Sequence, residues 1–237
     1  MKIIIDLWNQ HGGDINELKR MIVSGWMNGA DAVKPQIFTS VLRRGDDIRK
    51  YLEVTYDQTK EIYDFARGMG IEIFSTVFDE EKLEWVDSLG TDTYKIASET
   101  IKANPKLCEK ILSRNKLTYI STGGLEINEF PFGHDKNIRY LFCVAKYPTY
   151  LYDKALKQMP SKFSVDGYYG YSDHAVGIVA ALESYRRGSM VLEKHYTHTI
   201  MAQNAQEGAH MCSFTPESLR QFRQLYTEYE VFNGKNN

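Results

Sequence analysis

Two short runs carry side chains able to hold ions and move protons at alternating positions. GYYGYSDHAVGI, Gly167 to Ile178, ends a Tyr-rich, strand-like stretch with Ser172 and His174. MVLEKHYTHT, Met190 to Thr199, ends another with Glu193 and His195. Side chains alternate across a strand, so Ser172 shares a face with His174, and Glu193 with His195. The same spacing joins Lys34 to Gln36 in AVKPQI. Asp6 closes IIIDLW, Ser75 and Thr76 lie in EIFSTV, Lys95 and Ser98 in TYKIAS, Ser121 and Thr122 in LTYIST, and Tyr147 just past RYLFCVA. Two lysines with a ring of hydroxyls suit a small, multiply charged anion such as a phosphorylated carboxylate. Two neutral imidazoles suit a divalent transition metal with open positions, which can polarise a carbonyl oxygen. A carboxylate beside them could move protons. Together they point to carbon–carbon bond chemistry between an anionic donor and a carbonyl acceptor. Taken singly, each has a plainer reading. A strand-end lysine is usually solvated, a lone histidine is usually a structural hydrogen-bond partner, and Asp173 could cap a following helix. Their joint placement at strand ends favours a site.

These side chains need a scaffold that brings eight strand ends together. Eight β-like runs occur: 3–8, 32–37, 72–77, 93–98, 117–122, 139–145, 167–172 and 190–197. Helix-like stretches separate most of them. One follows Asp14 as N-cap, one places Ile62, Phe65, Ala66 and Met69 at helical spacing, one starts at Asp79, one ends at Gly188, and one opens Thr215-Pro216 with Ser218 at its third position. This alternation predicts an α/β fold, a (β/α)8 TIM barrel with its chemistry at the C-terminal strand ends. A doubly wound sheet is weakened as a rival because no G-x-G-x-x-G follows the first run. GGLEINEFPFGHDKN and LYDKALKQM predict abbreviated fifth and sixth helices. No linker, charge block or low-complexity segment interrupts the chain, so one domain over 1–237 is expected. The chain is 43% hydrophobic and 25% charged with a net charge of −2, so bulk electrostatics recommend no nucleic-acid or membrane partner. Three dispersed cysteines, Cys108, Cys143 and Cys212, form no disulfide framework or zinc knuckle and fit a reducing cytoplasm.

GADAVKPQIF, STVFD, YKIAS, ISTGG, CVAKYPT, GYSDHAVGI and LEKHYT stand in the order and approximate spacing of the sialic acid synthase family, which the chain resembles from Asp6 to about Leu219. That family comprises the phosphoenolpyruvate-dependent N-acetylneuraminate synthases and their legionaminate and pseudaminate relatives. The resemblance implies that His174 and His195 hold Mn2+ or another divalent ion. It implies that Lys34, Thr76, Lys95, Ser98, Ser121 and Ser172 bind the carboxylate and phosphate of phosphoenolpyruvate, and that Gln36 and Tyr147 face an open-chain amino sugar. Asp6, Lys34, Lys95 and Glu193 form the implied catalytic set. The implied reaction joins the enol carbon to the sugar's aldehyde, adds water, and releases phosphate with its C–O bond broken. A degenerate barrel that binds metal and a phosphorylated anion, alone or with a partner subunit, and a divalent-metal pyruvate aldolase are the alternatives. The chain departs from the family at Asp6, usually Glu, at Ala145, usually Asn or Ser, and at Ala209, usually acidic. The family's C-terminal antifreeze-like domain, which lends an Arg to the partner subunit's site, has no counterpart before Asn237. The resulting expectation is an intact donor and metal half, an eroded acceptor half, and a mouth open to water. A homodimer or a separate capping protein would close it, with Tyr147, Tyr150 and Tyr152 as contact points.

Overall fold

The computed structural model describes residues 1–198 and 211–234. Among these, ten parallel strand segments form one sheet: β1 (Lys2–Asp6), β2 (Ala32–Lys34), β3 (Gln36–Ile37), β4 (Glu72–Ile73), β5 (Thr76–Val77), β6 (Thr93–Ile96), β7 (Leu117–Ser121), β8 (Ile138–Cys143), β9 (Tyr168–Asp173) and β10 (Val191–His195). β2 and β3 are one stave interrupted at Pro35, which has no N–H to give to the ladder. β4 and β5 are likewise one stave, interrupted at Phe74 and Ser75. Because β2 pairs with β4 and β3 with β5, the sheet closes on itself as eight staves. The eight predicted runs map onto these staves in order.

Eight α-helices surround the sheet among the described residues: α1 (Ile15–Met27), α2 (Ser40–Arg44), α3 (Tyr56–Gly68), α4 (Glu80–Ser88), α5 (Ser98–Ala103), α6 (Pro105–Leu112), α7 (Val179–Arg186) and α8 (Pro216–Phe232). The expected N-caps form: Asp14 accepts from the Asn16 N–H, Asp79 from Lys82, and Thr215 closes a capping box with Ser218. α5 and α6 fall where no helix was expected. They are short and abut at Asn104, which caps α6 with Pro105 in its first turn. The abbreviation of the fifth and sixth helices goes further than the sequence implied. Residues 122–137 carry no helix, and between β8 and β9 only a 3-10 turn, Leu156–Gln158, is formed. Asp173 does not cap a helix either. It is fully buried and ion-paired with Lys194.

Strand alternation divides the apolar residues into two cores. Ile3 and Ile5 of β1, Val33, Ile96, Ile120, Phe142 and Leu192 face outward and pack with helix residues such as Met21, Ile62, Leu107 and Leu219. Ile4, Ala32, Phe74, Tyr119, Leu141 and Val191, on the opposite face, form a separate inner cluster that plugs the barrel. Gly170 belongs to this crowded interior: a Cβ there would meet the Val191 carbonyl oxygen at 2.4 Å. The plug is the floor on which the polar site stands.

Candidate active site

Two residues beyond the plug, on the same face of each stave, the side chains turn polar. Ile4 is followed by Asp6, Ala32 by Lys34, Phe74 by Thr76, Tyr119 by Ser121, Leu141 by Cys143, Val191 by Glu193, and Gly170 by Ser172. One further step of two gives Gln36, His174 and His195. All of these, with Lys95, Ala97, Ser98 and Tyr147, line one cavity of about 40 Å³ at the C-terminal ends of the staves. Each of the twelve site residues expected from the sequence is among them.

The charges are packed in pairs. Lys34 Nζ donates to Asp6 Oδ2 at 2.7 Å and to Thr76 Oγ1 at 2.8 Å, and lies 3.9 Å from Glu193 Oε2. Lys95 Nζ donates to the Ile96 carbonyl at 2.9 Å and lies 3.7 Å from Glu193 Oε1, which also accepts from Ser172 Oγ at 3.0 Å. Two cations thus face two carboxylates, all nearly removed from solvent. Ions so buried persist only when paired and hydrogen-bonded. Burial pushes the Asp6 carboxyl up, but Lys34 and His195, with hydrogen bonds from Lys34 and Gln36, outweigh it and hold Asp6 well below the usual carboxylate range. Asp6 is therefore an acceptor at neutral pH. Burial pulls Lys95 down against the attraction of Glu193, and the neighbouring Lys34 pulls the same way. Ser121 Oγ and Glu193 Oε2 are buried without a hydrogen-bond partner among the described residues. Such orphaned groups, beside a lysine with spare N–H donors, mark a place built for a ligand.

The imidazoles stand at the outer level. His174 Nδ1 lies 2.8 Å from the Val144 carbonyl, which only accepts, so Nδ1 carries a proton and Nε2 is the nitrogen turned to any ligand. The His174 and His195 ring centroids are 5.4 Å apart. Tyr147 lies 4.0 Å from His174 and 5.7 Å from His195, and Trp8 lies 5.6 Å from His195, so aromatic rings wall the mouth. Two imidazoles this close, one with its tautomer set by a backbone carbonyl, fit a shared divalent ion. Among the described residues no group of three or more His, Cys, Asp or Glu side chains forms a metal cluster. Among the described residues, an ion placed there would have these two histidines as its ligands, with positions left for substrate or water.

Residues 42–237 match the model of the NeuB family. The chain belongs to the NeuB family. Its relatives include an N,N'-diacetyllegionaminic acid synthase from Legionella pneumophila, 27% identical across 98% of this chain and 73% of that protein. A pseudaminic acid synthase from Campylobacter jejuni is 30% identical across 82% of this chain and 64% of its own length. Among solved structures, an N-acetylneuraminic acid synthetase from Leptospira borgpetersenii in complex with citrate superposes with a TM-score of 0.83 at 25% identity, covering 99% of this chain and 85% of that one. This chain therefore spans about two thirds to three quarters of the length of these two curated NeuB relatives.

Not every polar strand-end residue of this NeuB chain enters the site. Ser75 faces outward, its hydroxyl sharing a hydrogen bond with Tyr63, and Thr122 donates to the Leu141 carbonyl. Tyr150 and Tyr152 stack on one another, nearly parallel with centroids 5.3 Å apart. Ala145 is exposed at the mouth, and Ala209 lies outside the described residues. Two features escaped the sequence reading. Cys143 lines the cavity from the sixth stave, 3.7 Å from His174 Nδ1. Its place two residues after the inward-facing Leu141 was the available signal. Arg43, on the unexpected helix α2, donates to Gln36 Oε1 at 3.2 Å and pairs with Glu99. With its carbonyl held there, Gln36 turns its amide N–H toward Asp6, at 2.9 Å.

Proposed function

We propose that this chain condenses phosphoenolpyruvate with an aldose or amino sugar to give a nonulosonic 2-keto-3-deoxy acid and phosphate. The observation that carries this reading is one cavity in which two buried lysines and the Ser121 hydroxyl, without a partner among the described residues, lie below two adjacent imidazoles. Lys95, Ser98, Ser121 and Ser172 receive the donor's phosphate and carboxylate, with Lys34 and Thr76 beside them. Gln36 and Tyr147 face the acceptor. A divalent ion such as Mn2+, held by His174 and His195, supplies Lewis-acid polarisation of the acceptor's aldehyde oxygen when bound.

The protein's own groups account for the rest. The donor's C3 bonds to the aldehyde carbon, water adds to C2, and the C2–O bond to phosphate breaks with its electron pair leaving on phosphate. Water gives up one proton as it adds and a second as the ketone forms; one reaches the new alkoxide and the other leaves with phosphate. Glu193, whose Oε2 has no hydrogen bond among the described residues, takes the proton from water. Lys34 and Lys95, both nearly removed from solvent, offset the anionic charge where each is worth more than in water. Asp6, locked as a carboxylate by Lys34 and Gln36, holds Lys34 in place.

The test is phosphate release by the purified chain with Mn2+, phosphoenolpyruvate and a panel of N-acylated amino sugars and simple aldoses. Release that depends on one acceptor supports the synthase. Donor binding with no release for any acceptor would replace it with a barrel that only binds.

A further inference from the structure

Asp173 and Lys194 form an ion pair at 2.7 Å with no exposure on either side chain, and the chemistry above uses neither. Each is flanked on both sides by site residues: Ser172 and His174 around Asp173, Glu193 and His195 around Lys194. The two are register partners on β9 and β10, as are Ser172 and Glu193. The neighbouring staves are therefore joined twice at this level, by Ser172 to Glu193 on the inner face and by Asp173 to Lys194 on the outer face. Lys194 reaches further. Its Nζ also donates to the Ala175 carbonyl at 2.6 Å, while the Ala175 N–H donates to Asp173 Oδ1 at 2.7 Å. The Asp173 carboxylate before His174 and the Ala175 carbonyl after it are thus both held by the side chain that directly precedes His195. The lysine's third neighbour is the Phe214 ring, 5.4 Å away.

We infer that the Asp173–Lys194 pair is a positioning device that sets the separation of His174 and His195 for one divalent ion. This rests on the reading that the two imidazoles share that ion. Neither residue touches substrate or metal. A shift of the Lys194 ammonium would move the turn carrying His174 relative to the strand carrying His195, and two ligands on separate staves bind one ion only while their spacing holds. A lone stabilising role for the pair predicts something different, because a neutral pair of similar volume often supports a fold as well as a buried ion pair does.

Mn2+ affinity by calorimetry and the visible spectrum of the Co2+-loaded chain are measured for the parent, His174→Ala, Lys194→Gln and the double variant Asp173→Asn/Lys194→Met. The double variant keeps neutrality and an acceptor for the Ala175 N–H, but loses the bridge to the Ala175 carbonyl. It is expected to melt within about 5 °C of the parent. Its Mn2+ affinity is expected to fall roughly 10- to 100-fold, with a changed Co2+ band, the range for losing an outer support of a metal ligand. Affinity for phosphoenolpyruvate, held mainly from other staves, should stay within about threefold. A folded double variant with parental Mn2+ affinity and Co2+ spectrum would overturn the inference. If the double variant does not fold, Lys194→Gln decides by the same two readings. Parental Mn2+ affinity in His174→Ala would instead defeat the shared-ion reading, and the positioning role with it.

Discussion

Replacing Lys95 with Met removes a cation whose surroundings define its work. Lys95 is 2% exposed, spends one N–H on the Ile96 carbonyl and holds Glu193 only at 3.7 Å, leaving donors for an incoming anion. A hydrogen bond to a charged group contributes about 1.5–3 kcal/mol, so donor affinity should weaken by about 10- to 150-fold. Loss of the cation also leaves Glu193 less balanced beside the anion, which places the expectation toward the upper end. Stability should move little, or rise. The Lys95 pKa is lowered by burial, so between that value and 10.5 the unfolded chain binds a proton that the folded chain does not. Stability therefore rises with pH across that window, and below it the buried charge is a load on the fold that Met does not carry. The same shift gives a second signature: affinity for phosphoenolpyruvate should decline as pH rises through a range below 10.5, and Lys95→Met should lack that decline. Calorimetric titration without acceptor, at several pH values, with thermal melts alongside, measures all three. Donor affinity within about threefold of the parent would refute the assignment of Lys95 to the anion site, since it would put the lost interaction under 1 kcal/mol.

His11 is buried and its pKa is lowered from 6.5 to about 4, chiefly by burial and against the pull of Asp14 and Glu17. Between those values only the unfolded chain takes the proton, so stability should fall by about 3 kcal/mol as pH drops from 6.5 to 4, and His11→Asn should flatten that limb in denaturant titrations. Gly123→Ala would set a Cβ 2.8 Å from Ala145 Cβ and 2.9 Å from Ser98 Oγ, the atom that accepts the Gly123 N–H. Displacing Ser98 should weaken donor binding by about fivefold or more, and unchanged affinity would remove Ser98 from the donor contacts. Arg43→Gln should release the Gln36 amide and raise the acceptor KM by about two- to tenfold, the worth of one neutral hydrogen bond, with donor affinity unchanged. An equal loss on the donor side would show that Arg43 acts on the whole mouth instead.

The site was legible in the sequence because a parallel barrel converts two local properties into position. Parity along a strand decides inside or outside, and distance from the strand's end decides height. Lys34 with Gln36, Ser172 with His174, and Glu193 with His195 share faces by spacing alone, and the closed sheet brings those faces together. Parity would also have placed Cys143 inside and Ser75 outside, as the structure does. Other features depend on contacts between segments distant in the chain, which no local pattern records. Asp173 is as suitable a helix cap as an ion-pair partner, and only the register of β9 against β10 puts Lys194 opposite it. Asn104-Pro105 is a cap signal that had no visible helix to serve until α5 and α6 were seen to meet there. Arg43 reaches Gln36 because α2 folds over the mouth, seven residues along the chain but across a turn that hydrophobic periodicity does not mark. The residue types that line the cavity were thus fixed locally, while the orientation of Gln36 and the spacing of the two imidazoles were decided by neighbours that only closure of the barrel supplies.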